Sequence, residues 1–524
     1  MATNGRGPLL FVTGVLAVTI GVLLHLPMFW MGRSMGFHMV GMPMDPGMIA
    51  GMYLIVAGIA AAAYGLLPRG LSQHLATTNA LAVEAPEDAP LSWAHWRLMA
   101  VLVVALVIDI MKPASLGFTI PGMMAEYGVP RETVSLVPFV ALLGTVIGSF
   151  LWGLIADIYG RKASILLSAV MFVGTSICGA MPSLAWNIGM CFMMGAAAGG
   201  MLPVTYALLA EMMPSRHRGW SLVLVGGLGA VGGYVAASLV AAWLEPIYSW
   251  RILWLANLPS GLVLVALGGL IPESAKFLVA RGRLAEAQKV MARFGSGVRR
   301  RRTGGEGART ARGVQPPPLA HRHIGKLFAL SLTAIGWGLV NFGLLLWLPA
   351  ELVARGYSMG VASRLLAASA FIALPTVFAV AWIYSAWSTK NSLLLSIGVT
   401  LLGLAGVLWL AAVGDASPIL PVALLIVGSN AIIAMLLPYS AESFPLLVRG
   451  RATGVVAACS KLGGVFAQML AIMAIVPTLG AAAAMIALPL SLSLVLVARH
   501  GRETRGTDLR DLDPEGHVFD KAGL

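Results

Sequence analysis

"GLIADIYGRK", residues 153–162, sets one acid, two bases and two glycines directly behind a long apolar run. Side chains that avoid hydrocarbon this strongly mark a turn at a membrane edge. The apolar stretches on either side, 133–155 and 163–183, then read as helices of the roughly 20 residues that a bilayer core requires. Similar runs recur at 9–31, 47–67, 97–119, 187–210, 219–243, 250–271, 326–349, 361–383, 391–412, 418–440, 452–475 and 479–498. The chain has 524 residues, 58% of them hydrophobic and only 11% charged, too few charges to clothe a soluble core of that size. The expected class is an all-α polytopic membrane protein with about 14 transmembrane helices.

The net charge of +13 does not point to nucleic acid, because it is concentrated in one loop. Thirteen Lys and Arg lie between Lys276 and Lys326, including "RRRR" at 299–302. Basic loops gather on the cytoplasmic face, and those at Arg161–Lys162, Arg216–Arg218, 272–325, Lys390 and Arg449–Arg451 alternate with poorly basic ones. Fourteen spans then leave both termini cytoplasmic in the plasma (inner) membrane. The first apolar run is too long for a cleavable signal peptide. Cys178, Cys191 and Cys459 all fall inside apolar runs, which argues against a disulfide framework. No nucleotide loop, metalloprotease pair or nucleophile elbow occurs, so neither an enzyme nor a resident cofactor is expected.

"AEMMPSRHRG" (210–219) and "AESFPLLVRG" (441–450) share Ala-Glu-x-x-Pro-x-x-x-Arg-Gly without a gap. Each follows the fourth helix of a six-helix block, so the chain reads as a duplication, an architecture of transporters. The opening stretch, with Gly153, Asp157, Gly160, Arg161 and Lys162, resembles the signature of the major facilitator superfamily. "IPESAKFLVARGR" (271–283), "AESFPLLVRGRATG" and "GRETRGTDL" resemble segments of its sugar-porter and organic-ion branches, and "DIMKPASLGFTIPGM" (109–123) resembles helix 1 of its metabolite–proton symporters. The resemblance covers about 97–509. It implies two pseudo-symmetric six-helix bundles, 97–271 and 326–498, joined by the basic loop 272–325. An extra hairpin (1–70), a linker (71–96) and a tail (499–524) flank them.

Gly153 is read as allowing close helix approach and Gly160 as permitting a tight turn. The resemblance implies that Asp157 faces the start of helix 11, near Thr453, and that Arg161 pairs with Glu211, joining the halves on one side. Arg218, Glu442 and Arg449 occupy the repeated segments and share this gating assignment. Applying the offset of the repeat places Ser388 opposite Asp157 and Ser392 opposite Arg161, so the second turn has lost its charges.

Inside the spans, ionisable residues are expensive and mark function. Asp109 and Lys112 are assigned to proton coupling, with a structural Asp109–Lys112 pair as the alternative. Lys461, deep in helix 11, is a candidate for binding an anionic substrate, with Asn341, Asn430 and Tyr234 as hydrogen-bonding groups. Arg251 and Glu245 read as interface anchors, 82–90 as a solvated linker, and 273–294 as amphipathic helices interrupted at Gly282.

The first hairpin holds eight methionines between Met28 and Met52, near His25 and His38. Thioethers and imidazoles suit cuprous ion, so a copper-handling protein is a rival; methionine is also ordinary apolar filler. The expected function is a secondary carrier of a small organic solute, an anionic metabolite, by proton-coupled symport. Proton-antiport efflux is the alternative. Partners are then the solute, the proton and the bilayer.

Overall fold

Hydrocarbon offers backbone N–H and C=O groups no partner but each other, so apolar runs become helices. The computed structural model describes residues 6–67, 81–84, 90–295, 297–300, 321–413, 417–444, 446–475 and 478–505. Among them thirteen helices are long and apolar enough to cross a membrane, and a shorter fourteenth, Ile252–Leu267, completes the set.

The N-terminal hairpin is α1 (Arg6–Leu23) and α2 (Pro46–Leu66). The first bundle comprises α3 (Trp93–Tyr127), α4 (Leu136–Tyr159), α5 (Arg161–Ala180), α6 (Leu184–Met212), α7 (Ser215–Tyr248) and α8 (Ile252–Leu267). Two short helices follow, α9 (Ala275–Ala280) and α10 (Leu284–Arg293), separated at Gly282 with φ +71°. The second bundle comprises α11 (His323–Ala354), α12 (Met359–Ala386), α13 (Thr389–Val413), α14 (Ile419–Ser443), α15 (Leu446–Ile472) and α16 (Leu479–His500).

The duplication is visible in packing. In the first bundle α3 packs on α7, α4 on α6 and α5 on α8; in the second α11 packs on α15, α12 on α14 and α13 on α16. The halves meet along α3–α11, α4–α15 and α7–α12. Several helices outrun their apolar cores. α3 starts early because Ser92 and His95 form a reciprocal cap, and it ends at Gly128, whose φ of 61° stops a helix.

The hairpin closes on glycines. Gly7, Gly14 and Gly21 of α1 face Gly65, Gly58 and Gly51 of α2, and a Cβ on Gly14 would sit 2.6 Å from the Gly58 carbonyl oxygen. Small residues let two helices approach to backbone contact in lipid. The pair packs on Val170, Val173 and Ile177 of α5 and Leu255 of α8, all in the first bundle. Met28, Met39 and Met48 are buried in that apolar cluster, whereas Met31 and Met35 are exposed. Gly58→Leu should force the helices apart and lower stability by about 1–3 kcal/mol. The readout is the melting temperature and protease sensitivity of the purified protein; no change in either would contradict the close packing.

One reading of the sequence needs correction here. The supposed solvated linker contains a strand, β1 (Leu81–Glu84), pairing antiparallel with β2 (Gly297–Arg300), Leu81 opposite Arg300. The linker and the central loop are therefore tied together, helped by Ser92 Oγ donating to the Arg293 carbonyl at 3.4 Å.

Candidate transport cavity and gating turns

Between the bundles lies a cavity of about 360 Å³, walled by α3, α4, α6, α7, α11, α14 and α15. Five of the six residues singled out inside the spans line it: Asp109, Tyr234, Asn341, Asn430 and Lys461. Asp109 is 4% exposed, and its Oδ1 has no hydrogen-bond partner. Pro113, one turn on, has no N–H to give the Asp109 carbonyl, so the backbone is also loosened there. The Tyr234 hydroxyl and Trp337 Nε1 are likewise buried without partners. The Lys461 ammonium rests 5.3 Å from the Phe342 ring centre and 5.7 Å from that of Trp337, and no described carboxylate lies within ion-pair distance. Buried polar groups left unpaired are costly and rare. Several converging on one space make a site shaped for a polar guest.

Lys112 is not part of it. Its ammonium donates to the Phe172 carbonyl at 2.7 Å and to Thr175 Oγ1, and sits 4.3 Å over the Phe172 ring. One helical turn separates Lys112 from Asp109, but the two side chains leave α3 toward different neighbours. The Asp109–Lys112 pair is therefore not formed. Asn430 spends its amide on the Ile426 carbonyl of its own helix at 2.8 Å.

Asn341 lies in a π-helical stretch, Leu339–Leu345, within α11. Such widened turns are frequent at functional sites. Gln468 of α15 holds this one in place, donating to the Phe342 carbonyl at 2.5 Å and accepting from Trp347 Nε1 at 3.2 Å. Trp337, Phe342 and Gln468 were not singled out from the sequence. Aromatic and amide side chains in apolar runs carry no signal that separates wall from filler.

The cavity extends toward the charged turn, reaching Phe150, Leu437 and Gly454. On the opposite side the halves touch. A Cβ on Gly117 would lie 2.6 Å from the Leu346 carbonyl oxygen, and the Arg131 guanidinium stacks 4.2 Å over Trp347. Gly153 has open space where a Cβ would be, so its expected close helix contact is not made in this state.

At the turn itself Gly160 has φ +108°, a conformation side chains disfavour. Glu273 caps α5, accepting from the Arg161, Lys162 and Ser274 amides at 2.9, 3.4 and 2.9 Å. Burial pushes its carboxyl up, and those amide donors only partly offset this. Arg161 bridges Glu211 at 3.1 Å and Asp157 at 3.5 Å, and Ser274 Oγ also bonds Glu211. Arg161 and Glu211 both belong to the first bundle, so this pair does not join the halves. Asp157, with its side chain 75% exposed, faces solvent rather than α15, which begins at Leu446 and not near Thr453.

The second bundle repeats the device. Glu503 caps α13, accepting from the Thr389 amide at 3.0 Å, from Thr389 Oγ1 at 2.7 Å and from Ser388 Oγ. Thr504 Oγ1 donates to Glu442 at 2.9 Å, as Ser274 does to Glu211. Thr389 thus stands where Arg161 does and Lys390 where Lys162 does. The second turn lies three residues earlier than the offset of the repeat implies, which corrects the assignments of Ser388 and Ser392. Tyr384 OH, bonded to Glu442 at 2.8 Å, takes the place of the arginine. Across the halves, Arg218 of α7 is in electrostatic reach of Glu442 of α14. The side chain of Arg449 lies outside the described residues.

Partial burial raises the Glu503 carboxyl, but the hydroxyl and amide donors outweigh it and hold it down at about 2, against an ordinary 4.5. A depressed folded value means the contact stabilises fully above the unfolded value and is lost as pH falls through the folded one. Glu503→Gln should therefore lower the melting temperature at neutral pH and flatten its decline between about 4.5 and about 2. Melting curves across that range that match the parent protein's would contradict the cap.

At the other membrane face Arg251 is no interface anchor. It is fully buried and bridges Glu126 at 2.6 Å, while Trp250 Nε1 and the Met39 amide of the hairpin donate to the same carboxylate at 2.8 Å each. Glu245 is buried as well.

Residues 98–468 match the sequence profile of the Major Facilitator Superfamily. The chain belongs to that family: it is a multi-pass membrane transporter and not an enzyme. It is 25% identical over 403 residues to the niacin transporter NiaP of Acinetobacter baylyi, covering 73% of this chain and 88% of that one. It is 32% identical over 225 residues to the 4-hydroxybenzoate transporter PcaK of Pseudomonas aeruginosa, spanning 41% of this chain and 48% of that one. Among solved structures, the proton:xylose symporter XylE superposes with a TM-score of 0.62 at 17% identity, over 80% of this chain and 98% of that one. That likeness is one of fold.

Proposed function

We propose that this transporter carries a small organic anion, an aromatic monocarboxylate, together with a proton by alternating access. The observation that carries the reading is the cavity between the repeats, where Asp109 Oδ1 lacks a hydrogen-bond partner and the Lys461 ammonium, resting by two rings, has no carboxylate within ion-pair distance among the described residues. Lys461 offers a charge-assisted hydrogen bond to a carboxylate. Trp337, Phe342 and Phe118 wall the same space with rings that suit a planar body. Asp109 takes the proton. The names of the relatives, niacin and 4-hydroxybenzoate transporters, support the solute class. The basic loops put the charged turn and both termini on the cytoplasmic side of the plasma membrane, and the direction is uptake. Purified protein in vesicles, given labelled nicotinate or 4-hydroxybenzoate under an imposed pH gradient, tests this. Accumulation with the proton supports symport, whereas movement against it means antiport efflux.

The charged turn acts as a latch in this reading. Asp157, exposed while the halves are parted beside it, meets the positive N-terminal end of α15 once they close. A contact present in one state alone biases the equilibrium between states. Asp157→Ala should increase labelling of engineered cysteines on the turn side of the cavity. Unchanged labelling would remove the latch.

A further inference from the structure

We infer that the carrier is electroneutral, exchanging between its two orientations only when the cavity holds no net charge, and so moves one proton with each monoanion. The inference rests on the proposed symport reading and deepens it. Its ground is the inventory of the cavity. Among its lining residues the ionisable ones are Asp109 on α3, Tyr206 on α6, Tyr234 on α7 and Lys461 on α15. Phenols are neutral at working pH. Lys112, one turn along α3 from Asp109, is turned away from the cavity and donates to Phe172 and Thr175 of α5. One acid and one base therefore set the balance.

The arithmetic follows from these two groups. Empty, with Asp109 ionised and Lys461 protonated, the cavity sums to zero. Fully loaded, a carboxylate sits on Lys461 and a proton on Asp109, and the sum is again zero. With the anion alone it is −1, and with the proton alone +1. A net charge enclosed between two bundles and withdrawn from water is expensive, and on membrane-insertion scales such a form is populated about 10²-fold less. Coupling then needs no lock-step contact between Asp109 and Lys461. The half-loaded forms simply do not cross, which forbids proton leak and bare anion leak alike. The balance also selects cargo: a dicarboxylate would bring an uncompensated charge and be excluded.

The test uses the full chain in vesicles with labelled 4-hydroxybenzoate and nicotinate. A fixed inward pH gradient is imposed while valinomycin and potassium set the potential at 0 or −100 mV. Electroneutral exchange predicts the same accumulation at both potentials. A carrier moving one net positive charge would gain about fifty-fold at −100 mV, and that gain would overturn the inference while leaving symport standing. No gradient-driven uptake of either probe would overturn the carrier reading and this inference with it. A second arm removes both charges. Asp109→Asn combined with Lys461→Gln leaves zero net charge in every state, so this double variant should equilibrate neutral nicotinamide independently of pH. Asp109→Asn alone, holding +1 with or without nicotinamide, should pass it far more slowly than the double, whereas Lys461→Gln alone is neutral once Asp109 takes a proton and should slow only as pH rises. Equal rates in Asp109→Asn and the double would also overturn it.

Discussion

Asp109→Asn should abolish uphill accumulation, a loss of about tenfold in steady-state uptake ratio for each unit of imposed pH gradient, while solute exchange between two loaded faces continues. The amide imitates a permanently protonated acid. The loaded form then resembles the native loaded form and reorients, but the empty form keeps the Lys461 charge unbalanced and returns slowly. Counterflow measures exchange and imposed-gradient uptake measures accumulation, so the two are separable in one preparation. The site is structurally forgiving of this change, because Asp109 Oδ1 has no hydrogen-bond partner to lose. Retained accumulation would send the proton elsewhere, with Glu211 and Glu442 the next acids to replace.

Lys461→Gln should weaken binding of an aromatic carboxylate by about 30-fold or more, the effect of removing one partner of a desolvated charge pair. The neutral carboxamide of the same ring should lose little, since the aromatic walls remain. Quenching of tryptophan fluorescence offers a direct reading, because Trp337 lies within 5.7 Å of the ammonium. Equal weakening of anion and amide would mean that Lys461 holds the cavity's shape rather than the carboxylate.

Much of the fold was legible because lipid leaves a chain few choices. Apolar runs had to be helices, a charged turn had to sit at an edge, and the repeated Ala-Glu-x-x-Pro-x-x-x-Arg-Gly exposed the duplication. Asp109 and Lys461 stood out as lone charges deep in apolar runs, and they do share one cavity. The miss at Lys112 has a physical cause. Depth in the membrane follows from position along a run, but the direction of a side chain depends on how its helix is rotated against its neighbours. The displaced second turn was hidden because the motif that would set its register has lost its acid and arginine there. Its capping partner Glu503 was visible only as part of a tail motif. Nothing in residues 339–345 signals the π-helical turn that seats Asn341. The hairpin glycines are a different case: their sevenfold spacing on both helices was plain in the residues, and methionine drew attention from it. Six of those eight methionines, all but Met31 and Met35, pack in an apolar cluster against α5.

The direction and partner of proton movement test the central claim most directly. In lightly buffered vesicles carrying the protein, external 4-hydroxybenzoate added down its own gradient should draw protons inward, so external pH rises, beyond the rise in protein-free vesicles. The rise should vanish with Asp109→Asn. External acidification on the same addition, or a rise undiminished in that variant, would contradict the account.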